Sequence, residues 1–186
     1  MGEDEIQESS ARSVEAQFSG DDVGAILRER GWMGSAAEEA PAELREWVDR
    51  AAMLLGAKAG DREKLGALLE AVFHYDAREI LDSTDAHIVL ARAGARTVIR
   101  ELGREVIGGR DVDSDRLKEI FDRMKERTGY RGRELFHPLR LALAGRAGEG
   151  ELDRVILLVD NAARLPFAVK VKSARERMIE FCGQLD

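Results

Sequence analysis

The chain has 186 residues, 44% of them hydrophobic, 5% aromatic and 35% charged, with 29 basic and 36 acidic side chains and a formal net charge of −7. Its one cysteine, Cys182, excludes an intramolecular disulfide and fits a reducing, cytoplasmic setting. No apolar run reaches membrane-spanning length and the acidic N-terminus is unlike a signal peptide, so no membrane partner is expected.

Three prolines, few β-branched clusters and long Ala/Leu/Arg/Glu stretches predict an all-α protein of about eight helices. Residues 1–18 are polar, acidic and without periodicity, and read as a disordered or loosely attached arm. A short amphipathic helix follows over Ser19–Arg30, with Val23, Ile26 and Leu27 on one face and Gly31 ending it. Trp32 and Met33 are placed to dock it, and Gly34–Pro41 reads as a linker.

Pro41 can open the next helix, over 42–56, where Leu44, Trp47, Val48, Ala51, Met53, Leu54 and Leu55 recur at helical spacing. Asp61 caps a helix to about Phe73, with Leu65, Leu68, Leu69, Val72 and Phe73 inward. A turn at His74–Asp76 leads to a short helix carrying Ile80 and Leu81. Ser83 or Thr84 then caps one long helix with Ile88, Val89, Leu90, Val98, Ile99 and Leu102 buried, which Gly108-Gly109 ends.

Asp113 or Ser114 opens the helix to Thr128, with Leu117, Ile120, Phe121 and Met124 inward. A basic loop is expected after Gly129, then a short apolar helix from Pro138 to Gly145, a glycine loop, and a helix from Glu151. Phe167–Val171 is ambiguous between strand and loop. Ser173 with Glu176 three places on is a capping box for the last helix, whose stripe is Met178, Ile179, Phe181 and Cys182. The helices are expected in two packed subdomains, 19–110 and 111–186.

Charge is unevenly spread. Residues 1–50 carry 5 basic and 13 acidic side chains, whereas 116–177 carry 15 basic and 9 acidic. Such polarity suits an anionic partner at one end, although solubilising surface arginines give the same pattern. Chemistry has no foothold: His74, His87 and His137 form no metal or Ser/His/Asp pattern, so no metal and no cofactor is expected. Gly145, Gly148 and Gly150 lack the spacing and the preceding strand of a phosphate-binding loop.

The segment Lys125-Glu126-Arg127-Thr128-Gly129, continued by Gly132-Arg133-Glu134-Leu135-Phe136-His137-Pro138-Leu139-Arg140-Leu141-Ala142-Leu143-Ala144-Gly145-Arg146, resembles the C-terminal anticodon-binding region of bacterial glutamyl-tRNA synthetases. That family carries a Leu-Phe-x-Pro-Leu-Arg-x-Ala-Leu-Thr-Gly block, a glycine loop and a closing helix, here Gly150–Asp160. The resemblance is specific over roughly 115–160 and fainter over about 42–112. Ala144 stands where the family usually has threonine, and His137 where an apolar residue is common. The catalytic part of the synthetase is missing, and Lys170-Val171-Lys172-Ser173 only superficially echoes its second signature loop.

The resemblance implies a helical cage that binds the anticodon loop of a tRNA, tRNA-Glu first. It implies Arg140 and Leu152 against the last anticodon bases. Lys125, Arg127, Arg131, Arg133 and Arg146 would meet phosphates, and Tyr130 would either stack on a base or pack against its turn. For Arg140 the plainer alternative is an ion pair with a neighbouring helix, and for Leu152 a place in the core. The chain reads as a stand-alone paralogue or as a piece of a longer glutamate–tRNA ligase, which would bring a catalytic domain as a partner. The alternative function is a helical protein-interaction module that kept the fold and lost tRNA binding.

Overall fold

The computed structural model describes residues 18–34 and 41–185; the expected arm (apart from Phe18) and most of the 34–41 linker lie outside them. Ten helices and no strand are present among the described residues: α1 Gly20–Glu29, α2 Ala42–Ala59, α3 Arg62–Phe73, α4 Ala77–Leu81, α5 Thr84–Leu90, α6 Ala95–Ile107, α7 Ser114–Thr128, α8 Gly132–Ala144, α9 Glu151–Ala162 and α10 Ala174–Leu185. The expected all-α class is what folds.

Local chemistry sets most boundaries. Ser19 and Asp22 form a reciprocal capping box at α1, and Asp61, Asp76, Ser83 and Asp113 each accept from a first-turn amide of the helix they precede. Ser173 and Glu176 close the same kind of box on α10.

Two expected elements are corrected. The long helix after Ser83 is two helices, parted by Gly94 at φ +87°. A β-carbon there would fall 2.1 Å from Cζ of Tyr130, so the turn needs glycine for its backbone angle and for the ring against it. The helix expected to begin at Pro138 begins at Gly132, leaving Pro138 in its interior at the cost of one ladder hydrogen bond. The basic segment 132–137 is therefore helical. The Gly132 φ of +53° makes the turn, which the apolar periodicity could not reveal.

Three residues expected inward are exposed: Met53 (64%), Ile88 (54%) and Ile179 (50%). On α5 Val89 is inward as expected, with Ala86 buried beside it. Met53 and Ile179 lie just off the buried stripes of α2 and α10. Phe167–Val171 is neither helix nor strand. It puts Phe167 edge-on to Trp47 and Phe73, and Trp32 stacks on Phe73 at 4.8 Å between centroids. The Ala168 amide donates to Trp32 O at 2.8 Å, tying the 165–173 stretch to the end of α1.

The core runs without interruption from α1 to α10. On one side α2 packs on α1, α3 and α9; on the other, α6 packs on α7, α8 and α10. Arg177 lies between them, 0% exposed. Its guanidinium donates to the carbonyls of Ala71, Val72, Leu143 and Lys172, closing the C-terminal ends of α3 and α8. Burial lowers its pKa to about 10, still high enough to keep the charge at neutral pH. The Tyr75 ring lies under it at 4.7 Å, its hydroxyl donating to Ala142 O. Asp160, also buried, accepts from the amides of Val112 (2.6 Å) and Ala174 (2.7 Å), joining α9 to the loop before α7 and to the start of α10.

Candidate nucleic-acid interface

The corner singled out by the sequence is built where α7 gives way to α8. Thr128 Oγ1 donates to Met124 O and accepts from the Tyr130 amide, while Gly129 takes φ +74° and stops α7. Arg131 folds back to donate to Lys125 O (2.6 Å), which also accepts the Gly129 amide, and to Tyr130 O (2.8 Å).

On α8, Phe136 meets Phe121 edge-on at 5.1 Å, and the Arg140 guanidinium lies 5.0 Å over the Phe136 ring. Asp153 of α9 grips that guanidinium with both oxygens, at 2.8 and 2.9 Å, and Gly148 O takes a third N–H at 2.8 Å. Arg140 is thereby only 7% exposed, and it fixes the glycine loop to α9. Leu152 is buried beneath Gly148, where a β-carbon would come within 2.9 Å of Leu152 Cδ1.

The remaining sequence-selected cations are dispersed. Lys125 pairs with Asp122 at 3.2 Å on its own helix. Arg127 turns toward α6, to Glu105 (2.7 Å) and Glu101 (3.5 Å). Glu105 is a buried hub that also takes Arg116 and Arg123, both at 3.1 Å; burial opposes its charge, but these arginines prevail and hold its carboxyl below the usual range. Arg146 reaches Glu70 of α3 at 3.5 Å. Arg133, exposed on the first turn of α8, has no carboxylate partner among the described residues.

Two neighbours were missed by sequence reasoning. Arg92, in the α5–α6 turn, points its guanidinium at Nδ1 of His137, 3.2 Å away. No motif marks Arg92; only the packing of α5 on α8 brings it here. Burial first, then the positive charge of Arg92, hold the pKa of His137 below the ordinary value, with Glu149 opposing and Arg133 and Arg140 adding to the depression. The imidazole is therefore neutral at pH 7 and its Nδ1 accepts.

No group of three or more His, Cys, Asp or Glu side chains among the described residues is arranged to hold a metal, and no described helix is long and apolar enough to cross a membrane. What the corner offers is a patch of guanidinium groups, aromatic rings and a glycine loop, the materials of nucleic-acid contact.

Sequence comparison points the same way. The anticodon binding domain family matches residues 32–159, so α1 and α10 lie outside the match. Glutamate–tRNA ligase 1 of Halorhodospira halophila is 37% identical over 75 residues, 40% of this chain and 15% of that protein. The glutamate–tRNA ligase of Oceanobacillus iheyensis is 27% identical over 126 residues, 68% of this chain and 25% of that protein. Glutamate–tRNA ligase 2 of Syntrophus aciditrophicus is 26% identical over 113 residues, 61% of this chain and 23% of that protein. The chain thus spans at most about a quarter of the length of these relatives. No solved structure matches it significantly. With more than two thirds of its length inside the family match, the chain belongs to the anticodon binding domain family, as a region of glutamyl-tRNA synthetase type.

Proposed function

We propose that the protein is a tRNA-binding module of glutamyl-tRNA synthetase type. It takes the anticodon loop, that of tRNA-Glu first, against the α7–α8 turn, the exposed face of α8 and the glycine loop. The observation that carries this reading is the Arg140 guanidinium, stacked on Phe136 and seated beside the glycine loop within the family-matched segment. Unpaired anticodon bases can be splayed out and met by a guanidinium plane or a hydrogen-bonding fork. Because Asp153 occupies that fork in the unbound protein, RNA gains Arg140 by displacing a carboxylate. Lys125, Arg127, Arg131 and Arg146 likewise meet phosphates only by exchanging internal partners, which predicts modest affinity that falls as salt rises.

Binding of the full chain to tRNA-Glu and to an unrelated tRNA, at two salt concentrations, tests the proposal. Preference for tRNA-Glu is expected. The Arg140→Ala variant should lose about 1–3 kcal/mol of anticodon stem-loop affinity, the worth of one good base contact. Unchanged affinity in a folded variant removes Arg140 from the site. No binding at low salt favours the second reading, a helical protein-interaction module, for which the neutralised cations and the net charge of −7 argue.

A further inference from the structure

Many arginines around this corner face an acid. Arg116, Arg123 and Arg127 share Glu105, Arg110 bridges Asp113 and Glu119, Arg140 has Asp153, and Arg146 has Glu70. Arg92 and Arg133 do not, and Arg131 beside them is spent on backbone carbonyls. The only side-chain partner of Arg92 among the described residues is the imidazole of His137, and Arg133 has no carboxylate partner there. They flank one side chain: Arg133 precedes His137 by four residues, one turn along the same face of α8, and Arg92 approaches from the α5–α6 turn.

His137 explains how they are held. A guanidinium can only donate, so Nδ1 must accept and the ring proton must sit on Nε2. Nε2 is buried and has no hydrogen-bond partner. A side chain that only packed here would be better apolar, since it would leave no buried polar atom unsatisfied. The unsatisfied nitrogen is the consequence of keeping an acceptor aimed at Arg92.

We propose that Arg92 and Arg133 form a clamp for a backbone phosphate of the bound RNA, with His137 as the positioning residue that aims Arg92. The clamp rests on the RNA-binding reading above. It adds a contact that is blind to base sequence beside the base-reading Arg140. Two guanidinium groups without a carboxylate partner among the described residues bring charge to a phosphate without first giving up an ion pair seen there, unlike Lys125, Arg127, Arg140 and Arg146. At His137 the charges of Arg92, Arg133 and Arg140 oppose that of Glu149, and Asp153 offsets Arg140.

The test is titration of the 186-residue chain with an anticodon stem-loop RNA, and with the same stem-loop carrying a substituted anticodon, across a series of potassium chloride concentrations. Arg92→Gln and Arg133→Gln should each weaken binding roughly tenfold at low salt, the order of one charge-assisted contact. Each should lower the salt slope by about one, equally for both RNAs. His137→Leu should reproduce the Arg92→Gln loss and add nothing to it in the double variant. His137→Asn, whose amide oxygen can replace Nδ1, should retain the wild-type slope. An unchanged slope in folded Arg92→Gln/Arg133→Gln protein that still binds RNA overturns the clamp alone. A loss confined to the unsubstituted anticodon also overturns it, by making these arginines base readers. Failure of the wild-type protein to bind either RNA overturns the RNA-binding reading itself.

Discussion

Two arginines, Arg177 in the interior and Arg140 at the rim, are both stacked on an aromatic ring and both deeply covered, yet they are held in opposite ways. Arg177 spends its N–H groups on four backbone carbonyls at the ends of α3 and α8 and before α10. Those acceptors are fixed in the fold, and no ligand can replace them without unfolding two helix ends. Arg140 spends three of its N–H groups on the Asp153 side chain and one loop carbonyl. A carboxylate that is itself partly exposed can swing away, and a phosphate offers the same geometry. The lesson is that burial alone does not separate a structural arginine from one available for recognition. The nature of its acceptors does.

The largest effect should come from breaking the interior side of the comparison. Arg177→Met leaves four carbonyls without their donor in a dry site, and should cost about 3–5 kcal/mol, since each buried acceptor left unsatisfied costs on the order of 1 kcal/mol or more. Urea denaturation followed by helical circular dichroism measures it. A loss below about 1 kcal/mol would mean that water or shifted side chains satisfy those carbonyls, and that Arg177 is no keystone.

A smaller loss is expected from the turn that presents the rim. Gly94→Ala forces a side chain into a left-handed backbone and against the Tyr130 ring, which should cost about 1–3 kcal/mol. Truncating Tyr130 in that background relieves the contact but not the backbone, so the two substitutions should combine to less than their sum in a denaturation cycle. Full additivity would show that ring and glycine do not meet.

Much of this was legible in advance, for identifiable reasons. Asp61, Asp113 and the Ser173–Glu176 pair announce helix starts because capping is a local bargain between neighbours in sequence. The block from Leu135 to Arg146 was legible because its apolar spacing and its terminal glycine are both local. Gly94 was not, since a single glycine within an apolar periodic stretch does not say that a tyrosine 36 positions later will lie on it. Pro138 misled, because proline at a first helical turn is the cheaper arrangement and this fold tolerates the dearer one. The split of cations into engaged and free could not be read at all. Arg133 and Arg131 look alike in sequence, and only the folded chain shows one covering the end of α7 and the other facing solvent. Arg92 lies 45 residues from His137 with no motif between them.

The subtlest variant acts on the rim clamp. Asp153→Asn keeps the size of the side chain and one acceptor for Arg140 but removes the charge that holds it, so stability should fall by only about 1 kcal/mol for this partly exposed pair. If Arg140 is a recognition group in waiting, the energy that held it becomes available to RNA, and affinity for the cognate stem-loop should rise while affinity for a substituted anticodon changes less. If the pair serves only to lock the glycine loop to α9, loosening it frees the loop, and affinity for both RNAs should stay level or fall together. The two arginines of the opening comparison would then differ in their acceptors and not in their purpose, and the recognition role would pass to the cations that have no acid to leave.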